Sequence, residues 1–126
     1  MREQFKLHEG TEVDNPGDGF LAVFGRPADA IRAGWSINNS VESLGLKVRV
    51  GIHTGEFEWI GKKAVGITVH IGARVAGEAQ PGEVMVSGTV RDLLAGSRIT
   101  FQDRGWRTLK GIADKWRLFN AQKPSD

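Results

Sequence analysis

Two apolar periodicities alternate along this chain, and that alternation limits the folds open to it more than any other feature. Residues 47–53 read KVRVGIH, with apolar side chains at every second position, which is typical of a strand with one buried face. Residues 27–44 place apolar side chains every three or four positions behind Pro27 and stop near Gly45, which predicts a helix. This alternation predicts one α+β domain over residues 1–126, because no linker or repeat divides the chain.

Glycine-rich turns predict two β-hairpins. Residues 10–14 and 19–24 flank a turn that contains Pro16, so they are expected to pair, with Asp18 at the tip. The strand over 47–53 is expected to turn and return as a second hairpin partner over 56–60. Its inward-facing side chains would be Val48, Val50 and Ile52.

Residues 68–79 predict a second helix with two distinct faces. His70 and Arg74 are four residues apart and therefore share one face. The opposite face is small and apolar, which would allow close packing, and we expect it to be buried. It consists of Val69, Gly72, Ala73 and Ala76.

The last third of the chain predicts a strand, a short helix and two more strands. Residues 81–87 read as a turn and a strand, and Ser87 is placed to cap a helix over 89–94. Strands are then expected around 100–105 and 115–120.

Composition excludes several classes of protein. The formal net charge is only +2 with no block of like charges, so the sequence does not predict a nucleic-acid-binding protein. The chain has no cysteine, which excludes a disulfide framework and a thiolate metal site and fits a reducing compartment. No apolar run is long enough to cross a bilayer and no signal peptide opens the chain, so we expect a cytoplasmic protein without membrane insertion.

Five ordered motifs give the chain a family resemblance. Together they resemble the catalytic domain of class III adenylate and guanylate cyclases, in its bacterial branch, over nearly the whole chain. The motifs are GDGFLAVF (17–24), RVGIHTGE (49–56), GITVHIGARV (66–75), PGEVMVS (81–87) and LKGI (109–112).

The resemblance implies a ferredoxin-like fold and an enzymatic reaction. In this family, two domains form a head-to-tail dimer, and ATP or GTP is closed to its cyclic 3′,5′-monophosphate with loss of pyrophosphate. Matching the motifs starts this chain inside the family's second helix, so the fold would lack its first strand and first helix. The strands that end at Phe24 and begin at Lys47 would then pair directly, or a second chain would fill the gap, or Met1 is not the natural start.

Asp18 is the candidate metal ligand. Family members hold two Mg²⁺ or Mn²⁺ ions with two aspartates on neighbouring strands, and Asp18 matches the second of them. The first aspartate would lie on the missing strand. On local sequence alone, Asp18 reads as an ordinary turn aspartate bonded to its own backbone; the other four motifs favour the metal site.

Three further residues match the family's substrate contacts. Arg74 matches the arginine that stabilises charge on the α-phosphate, and the alternative is a solvated helix-face arginine. Lys110 matches the lysine that holds the terminal phosphates, although a surface lysine beside a turn is equally compatible. His70 stands where the family usually has a ribose-orienting asparagine, and a packing histidine is the competing interpretation.

Asp14 and Lys63 occupy the positions that would read the base. By position, Asp14 matches the adenine-reading lysine of adenylate cyclases and Lys63 matches its partner aspartate, so the two charges are exchanged. They form either a polar pair near a purine or two unrelated loop charges, and the sequence favours the latter because the GKKAVG loop leaves the register open.

Two functions therefore remain at this stage. One is a nucleotidyl cyclase domain, with ATP as the favoured substrate, that works as a homodimer or with another cyclase domain and is inactive or very weak as these 126 residues alone. The other is a catalytically silent module for dimerisation or nucleotide binding in signalling.

Overall fold

The computed structural model describes residues 10–12, 22–24 and 26–124, in which strands and helices alternate as the sequence predicts. The predicted α+β class is therefore confirmed. In chain order the elements are β1 (Gly10–Glu12), β2 (Ala22–Phe24), α1 (Pro27–Glu42), β3 (Val50–Ile52), β4 (Glu58–Ile60), β5 (Lys63–Val65), α2 (Ile67–Gly77), β6 (Val84–Ser87), α3 (Gly88–Leu93), β7 (Thr100–Thr108) and β8 (Lys115–Gln122).

A four-stranded sheet in the order β3–β6–β8–β7 forms the centre of the molecule. β3 pairs with β6 in parallel, and β8 pairs with both β6 and β7 in antiparallel fashion. The predicted hairpin between residues 10–14 and 19–24 is present as the pair β1–β2. The second predicted hairpin is wrong, because β4 pairs with β5 and β3 pairs with β6.

The sheet separates two apolar cores. On one face, α1 and α3 pack over Ile52 of β3, Val86 of β6 and Phe119 of β8. On the other face, α2 packs over a second cluster that includes Met85 and Leu118. Neighbouring residues of β6 and of β8 thus enter different cores, as the period-two geometry of a strand requires.

Helix α1 is fixed to the start of β3 by one asparagine. Pro27 lies in its first turn, where a missing N–H costs nothing. Asn38 then accepts a hydrogen bond from the Val48 N–H at 2.8 Å and donates one to the Val48 carbonyl at 3.1 Å. These bonds set the height at which β3 enters the sheet.

Helix α2 approaches β3 closely through Ala76 of the predicted face, but the residues that it buries are not those that the sequence predicted. Its buried residues are Ile71 and Val75, and Ala73 of the predicted face is exposed. The close approach runs through Ala76, whose backbone nitrogen lies 2.1 Å from where a Cβ on Gly51 would stand. A small residue on each element therefore permits the contact, Gly51 on the strand and Ala76 on the helix.

Direct pairing of β2 with β3, one of the three alternatives for the start of the fold, does not occur in the described segments. β2 belongs to a separate two-stranded sheet, and β3 pairs only with β6 there. Helix α1 nevertheless contacts both β2 and β3.

The two final strands and the Ser87 cap agree with the sequence prediction. Ser87 is the N-cap of α3 and accepts a hydrogen bond from the Val90 N–H. Within the described part of the chain, no helix is both long and apolar enough to span a bilayer.

Candidate functional site

Helix α2 and the loop that joins β7 to β8 form the candidate site. His70 and Arg74 lie one helical turn apart on α2, as predicted. Leu109, at the start of the loop, is almost fully buried in the same apolar cluster as Ile71 and Val75. The cluster therefore fixes the loop against the helix.

The loop brings Lys110 beside His70. A Cβ built on Gly111 would lie 3.3 Å from Nε2 of His70, so the imidazole stands directly against the loop backbone. Gly111 has a φ of 79°, a conformation that favours glycine, and the turn leaves the preceding Lys110 exposed to solvent. The turn that carries Lys110 thus packs against His70, forty positions earlier in the sequence.

Arg74 offers an unused donor at this surface. Its side chain is partly buried, and its Nε atom is buried without a hydrogen-bond partner in the described part of the protein. A buried guanidinium N–H without a partner is costly, so such an atom is expected to find an acceptor. A phosphate oxygen would satisfy it, and the donor set therefore fits an anionic ligand.

The other predicted site residues are not brought into this geometry. Asp14 and Asp18 lie outside the described residues, so their predicted roles stay predictions. Lys63 begins β5 and is exposed, and β5 contacts α2. The structure therefore leaves the predicted Asp14–Lys63 pair untested.

The described residues do not by themselves form a cation site. Nowhere in residues 26–124 or the two short strands do three histidine, aspartate or glutamate side chains gather as metal ligands would. The only metal ligand implied by the resemblance, Asp18, lies outside this part of the chain.

A histidine, a serine and a tryptophan meet at the ends of the central strands, a contact that was not predicted from the sequence. Nδ1 of His53 lies 2.7 Å from the Ser87 hydroxyl. The His53 and Trp116 rings form a T-shaped pair, with centroids 5.1 Å apart and an angle of 86° between the ring planes. Burial lowers the pKa of His53. Ser87 is fully buried, so the pair is structural and not a nucleophile with its base.

A signal for this cluster was present in the sequence. RVGIH and EVMVS each end an apolar strand with a polar residue, and β3 pairs with β6 so that Ile52 is opposite Val86. The next residues, His53 and Ser87, therefore had to be neighbours once the two strands were known to be parallel.

The loop after His53 supports the first turn of α2. The Thr68 hydroxyl donates a hydrogen bond to the Glu56 carbonyl at 2.6 Å. At the other end of the helix, Arg107 of β7 forms an ion pair with Glu78 at 2.9 Å. Both ends of the helix that carries His70 and Arg74 are thus fixed to the sheet side of the molecule.

Comparison with solved structures identifies the fold as that of nucleotidyl cyclase domains. An adenylate/guanylate cyclase/hydrolase from Silicibacter pomeroyi matches with a TM-score of 0.86 and 22% identity, over 98% of this chain and 79% of that chain. The adenylyl cyclase CyaB from P. aeruginosa matches with a TM-score of 0.82 and 18% identity, over 98% and 77% of the two chains.

Sequence comparison then gives the family. The family model for the adenylate and guanylate cyclase catalytic domain matches residues 1–121, and the chain belongs to this family. A putative adenylate cyclase 3 from Rhizobium meliloti is 26% identical over 115 residues, which is 84% of this chain and 20% of the relative. An uncharacterized protein from Mycobacterium tuberculosis is 35% identical over 100 residues, which is 76% of this chain and 34% of the relative. The chain thus spans about a fifth to a third of the length of these relatives.

Proposed function

We propose that this chain is a nucleotidyl cyclase domain that binds ATP and belongs to an assembly that converts it to 3′,5′-cyclic AMP and pyrophosphate. The observation that carries the proposal is the α2 surface that bears His70 and Arg74, against which the backbone of the 109–112 loop packs next to Lys110. The family assignment supports the reaction class.

Each of the three residues would perform a distinct task. Arg74, with its unpartnered Nε, would bind the α-phosphate and stabilise the charge that develops there. Lys110, exposed on its turn, would hold the terminal phosphates as a compact cation. His70 would donate a hydrogen bond to the ribose and help to orient its 3′-hydroxyl.

Asp18 would hold a divalent cation, Mg²⁺ or Mn²⁺. Bound there, the ion would lower the pKa of the attacking hydroxyl and neutralise charge on the leaving pyrophosphate. A two-ion site needs a second carboxylate from an upstream segment or from a partner domain. Loss of one such electrostatic contact commonly lowers a rate by roughly 100-fold or more, so the 126 residues alone are expected to turn over at or near background.

The active assembly would be a dimer, either of two copies or with another cyclase domain. The β4–β5 hairpin supports this, because Trp59 and Ile60 expose about half and two thirds of their surface on it (49% and 65%). Large apolar side chains exposed on both faces of a hairpin favour an interaction site there. Strand β5 of the hairpin contacts α2, so a second copy bound to the hairpin would lie near the candidate site.

Binding of ATP tests the site independently of turnover. We expect the purified chain to bind ATP in the presence of Mn²⁺ by calorimetry, and Lys110→Ala to weaken binding at least tenfold, since a hydrogen bond to a charged group contributes about 1.5–3 kcal/mol. Arg74→Ala should weaken it as well. The matched controls are Lys62→Ala on the hairpin turn and Arg32→Ala on α1, and both should bind as the unaltered chain does. Equal affinity in Lys110→Ala and Lys62→Ala would contradict the site.

The silent module is the second candidate, and His70 in place of the family's asparagine favours it. Cyclic AMP and cyclic GMP production by the purified chain in Mn²⁺ separates the two functions. Binding of ATP without turnover, both alone and with an active cyclase domain added, would favour the silent module. Robust production by the chain alone would disprove the expected near-background rate.

Asp14 and Lys63 would select the base. If Asp14 and Lys63 form a polar pair beside the purine, then Asp14→Ala and Lys63→Ala should each change the ratio of ATP to GTP affinity. An unchanged ratio in both variants would leave them as unrelated loop charges.

A further inference from the structure

A groove between α3 and the β7–β8 hairpin lies on the sheet face opposite to α2. Its volume is about 340 Å³, within the range of small-ligand pockets. Phe119 of β8 forms part of its lining and belongs to the core under α1 and α3, whereas α2 packs on the other core. Trp116, which packs on the core under α2, also lines the groove, but no lining residue belongs to α2 or to the 109–112 loop, so the groove is separate from the candidate cyclase site.

A β-bulge in β7 turns an exposed tryptophan toward this groove. Asp103 is opposite Phe119 and Trp106 is opposite Arg117. Between these two pairs β7 advances by three residues and β8 by only two, so β7 contains one additional residue. Gly105 takes up the additional residue with a φ of 84°. Without the bulge Trp106 would be on the other face of the sheet, but with it the indole lines the groove and remains 63% exposed.

Three cations line the same groove. The guanidinium groups of Arg91 and Arg117 lie 5.2 and 5.5 Å from the centre of the Phe119 ring, which holds both in place. Lys115, two residues before Arg117 on the same strand face, also lines it. Lys115 has no carboxylate partner in the described part of the chain.

The two arginines are paired, but with exposed carboxylates. Arg91 pairs with Asp92 at 3.3 Å, and Arg117 pairs with Asp103. The hydrogen bond from Arg117, then that from the Gly105 N–H, lower the pKa of Asp103, and the charge of Arg91 acts in the same direction. Because all four side chains are about half exposed or more, their ion pairs contribute little and an incoming anion can compete for the arginines.

We propose that this groove binds a small planar aromatic anion. The ring would stack on Trp106, which offers an exposed π-face at a low entropy cost, and the anionic group would bind Lys115 and the neighbouring arginines. The combination of one exposed indole with three cations selects for both properties in one ligand. Neither a neutral ring nor an inorganic anion makes both contacts.

The proposal is tested by NMR with 1-naphthyl phosphate as the probe. The chain has four tryptophans, so its indole N–H signals can be assigned with single Trp→Phe variants. We expect the Trp106 signal to shift and saturate, while 1-naphthol and inorganic phosphate each bind at least about tenfold more weakly, as the loss of a stacking or an ionic contact implies. A Trp106 signal that does not move, or that moves without saturation, would overturn the proposal.

Three variants separate the groove from other anion sites. Lys115→Ala should raise the dissociation constant of 1-naphthyl phosphate by about tenfold, whereas Lys62→Ala, on the β4–β5 turn, should leave it unchanged. Lys110→Ala should also leave the Trp106 titration unchanged. Equal weakening by Lys115→Ala and Lys62→Ala would show nonspecific attraction to positive charge, and weakening by Lys110→Ala would assign the binding to the candidate cyclase site.

Discussion

His53 shows at the scale of one residue how burial couples protonation to folding. Its ring lies between the Ser87 hydroxyl and Trp116, and its pKa is lowered because burial disfavours the charged imidazolium. The unfolded chain binds a proton at this position more readily than the folded one. His53 therefore favours the folded state above its unfolded pKa of about 6.5, and that contribution declines as the pH falls below it.

We expect the chain to lose stability between pH 7 and pH 5 partly through His53. Urea denaturation at pH 7.5, 6.5 and 5.5 should give a steeper decline for the unaltered chain than for His53→Asn, which cannot take up the proton. His70→Asn, with an exposed imidazole, is the control and should retain the steep decline. Parallel declines in the unaltered chain and His53→Asn would show that His53 does not contribute.

Single residues were also where sequence reasoning reached furthest into the candidate site. The i, i+4 spacing of His70 and Arg74 is a local property, and the structure keeps it. That Lys110 and His70 would serve one substrate was implied by the resemblance and by no local pattern. The partnership of His53 and Ser87 was missed because it depends on the parallel pairing of strands about thirty residues apart.

At the scale of elements, α2 is positioned by a contact that only glycine permits. A Cβ on Gly51 would stand 2.5 Å from Cα of Ala76 and closer still to its nitrogen. Backbone atoms on both sides cannot move aside as a flexible side chain can. The distance between β3 and α2, and so the position of Arg74 relative to the sheet, depends on this glycine.

Gly51→Ala should therefore destabilise the domain by about 3 kcal/mol or more, as overpacking between rigid elements does. Gly72→Ala is the matched control, because a Cβ there meets nothing within 4 Å and alanine favours the helix, which should stabilise it by up to about 1 kcal/mol. Both values can be measured by urea denaturation. A loss below about 0.5 kcal/mol in Gly51→Ala would show that α2 moves freely on β3.

The same scale explains the error in the second hairpin. A strand, a Thr-Gly turn and a second apolar strand satisfy every local rule for a hairpin. β3 instead takes β6 as its partner, because the crossover through α2 buries Ile71 and Val75 against the sheet. Tertiary burial thus outweighed the local turn signal, which indicated the wrong partner strand for β3.

At the scale of the whole molecule, the β4–β5 hairpin predicts self-association. Its strand β4 is exposed at every position, and the rings of Phe57 and Trp59 contact each other with centroids 5.5 Å apart. Burying this surface would remove apolar area from water without a change of fold. A dimer formed through this hairpin would require only the surface that the described part of the chain already presents.

Trp59→Glu should weaken the dimer at least tenfold, since a buried charge and a lost aromatic contact both oppose association. Light scattering on a gel-filtration column measures the change. Leu93→Glu is the matched control, because Leu93 is equally apolar and exposed but lies on α3. If both substitutions weaken association alike, or neither does, the hairpin is not the interface.

The strand order also determines when this domain can fold during its synthesis. β8 lies between β6 and β7 and supplies Leu118 to the cluster under α2, yet it is made after both of them. A nascent chain thus exposes the apolar faces of β6 and α2 until about residue 122 has left the ribosome. We therefore expect the surface that carries His70 and Arg74 to form only after β8 has left the ribosome.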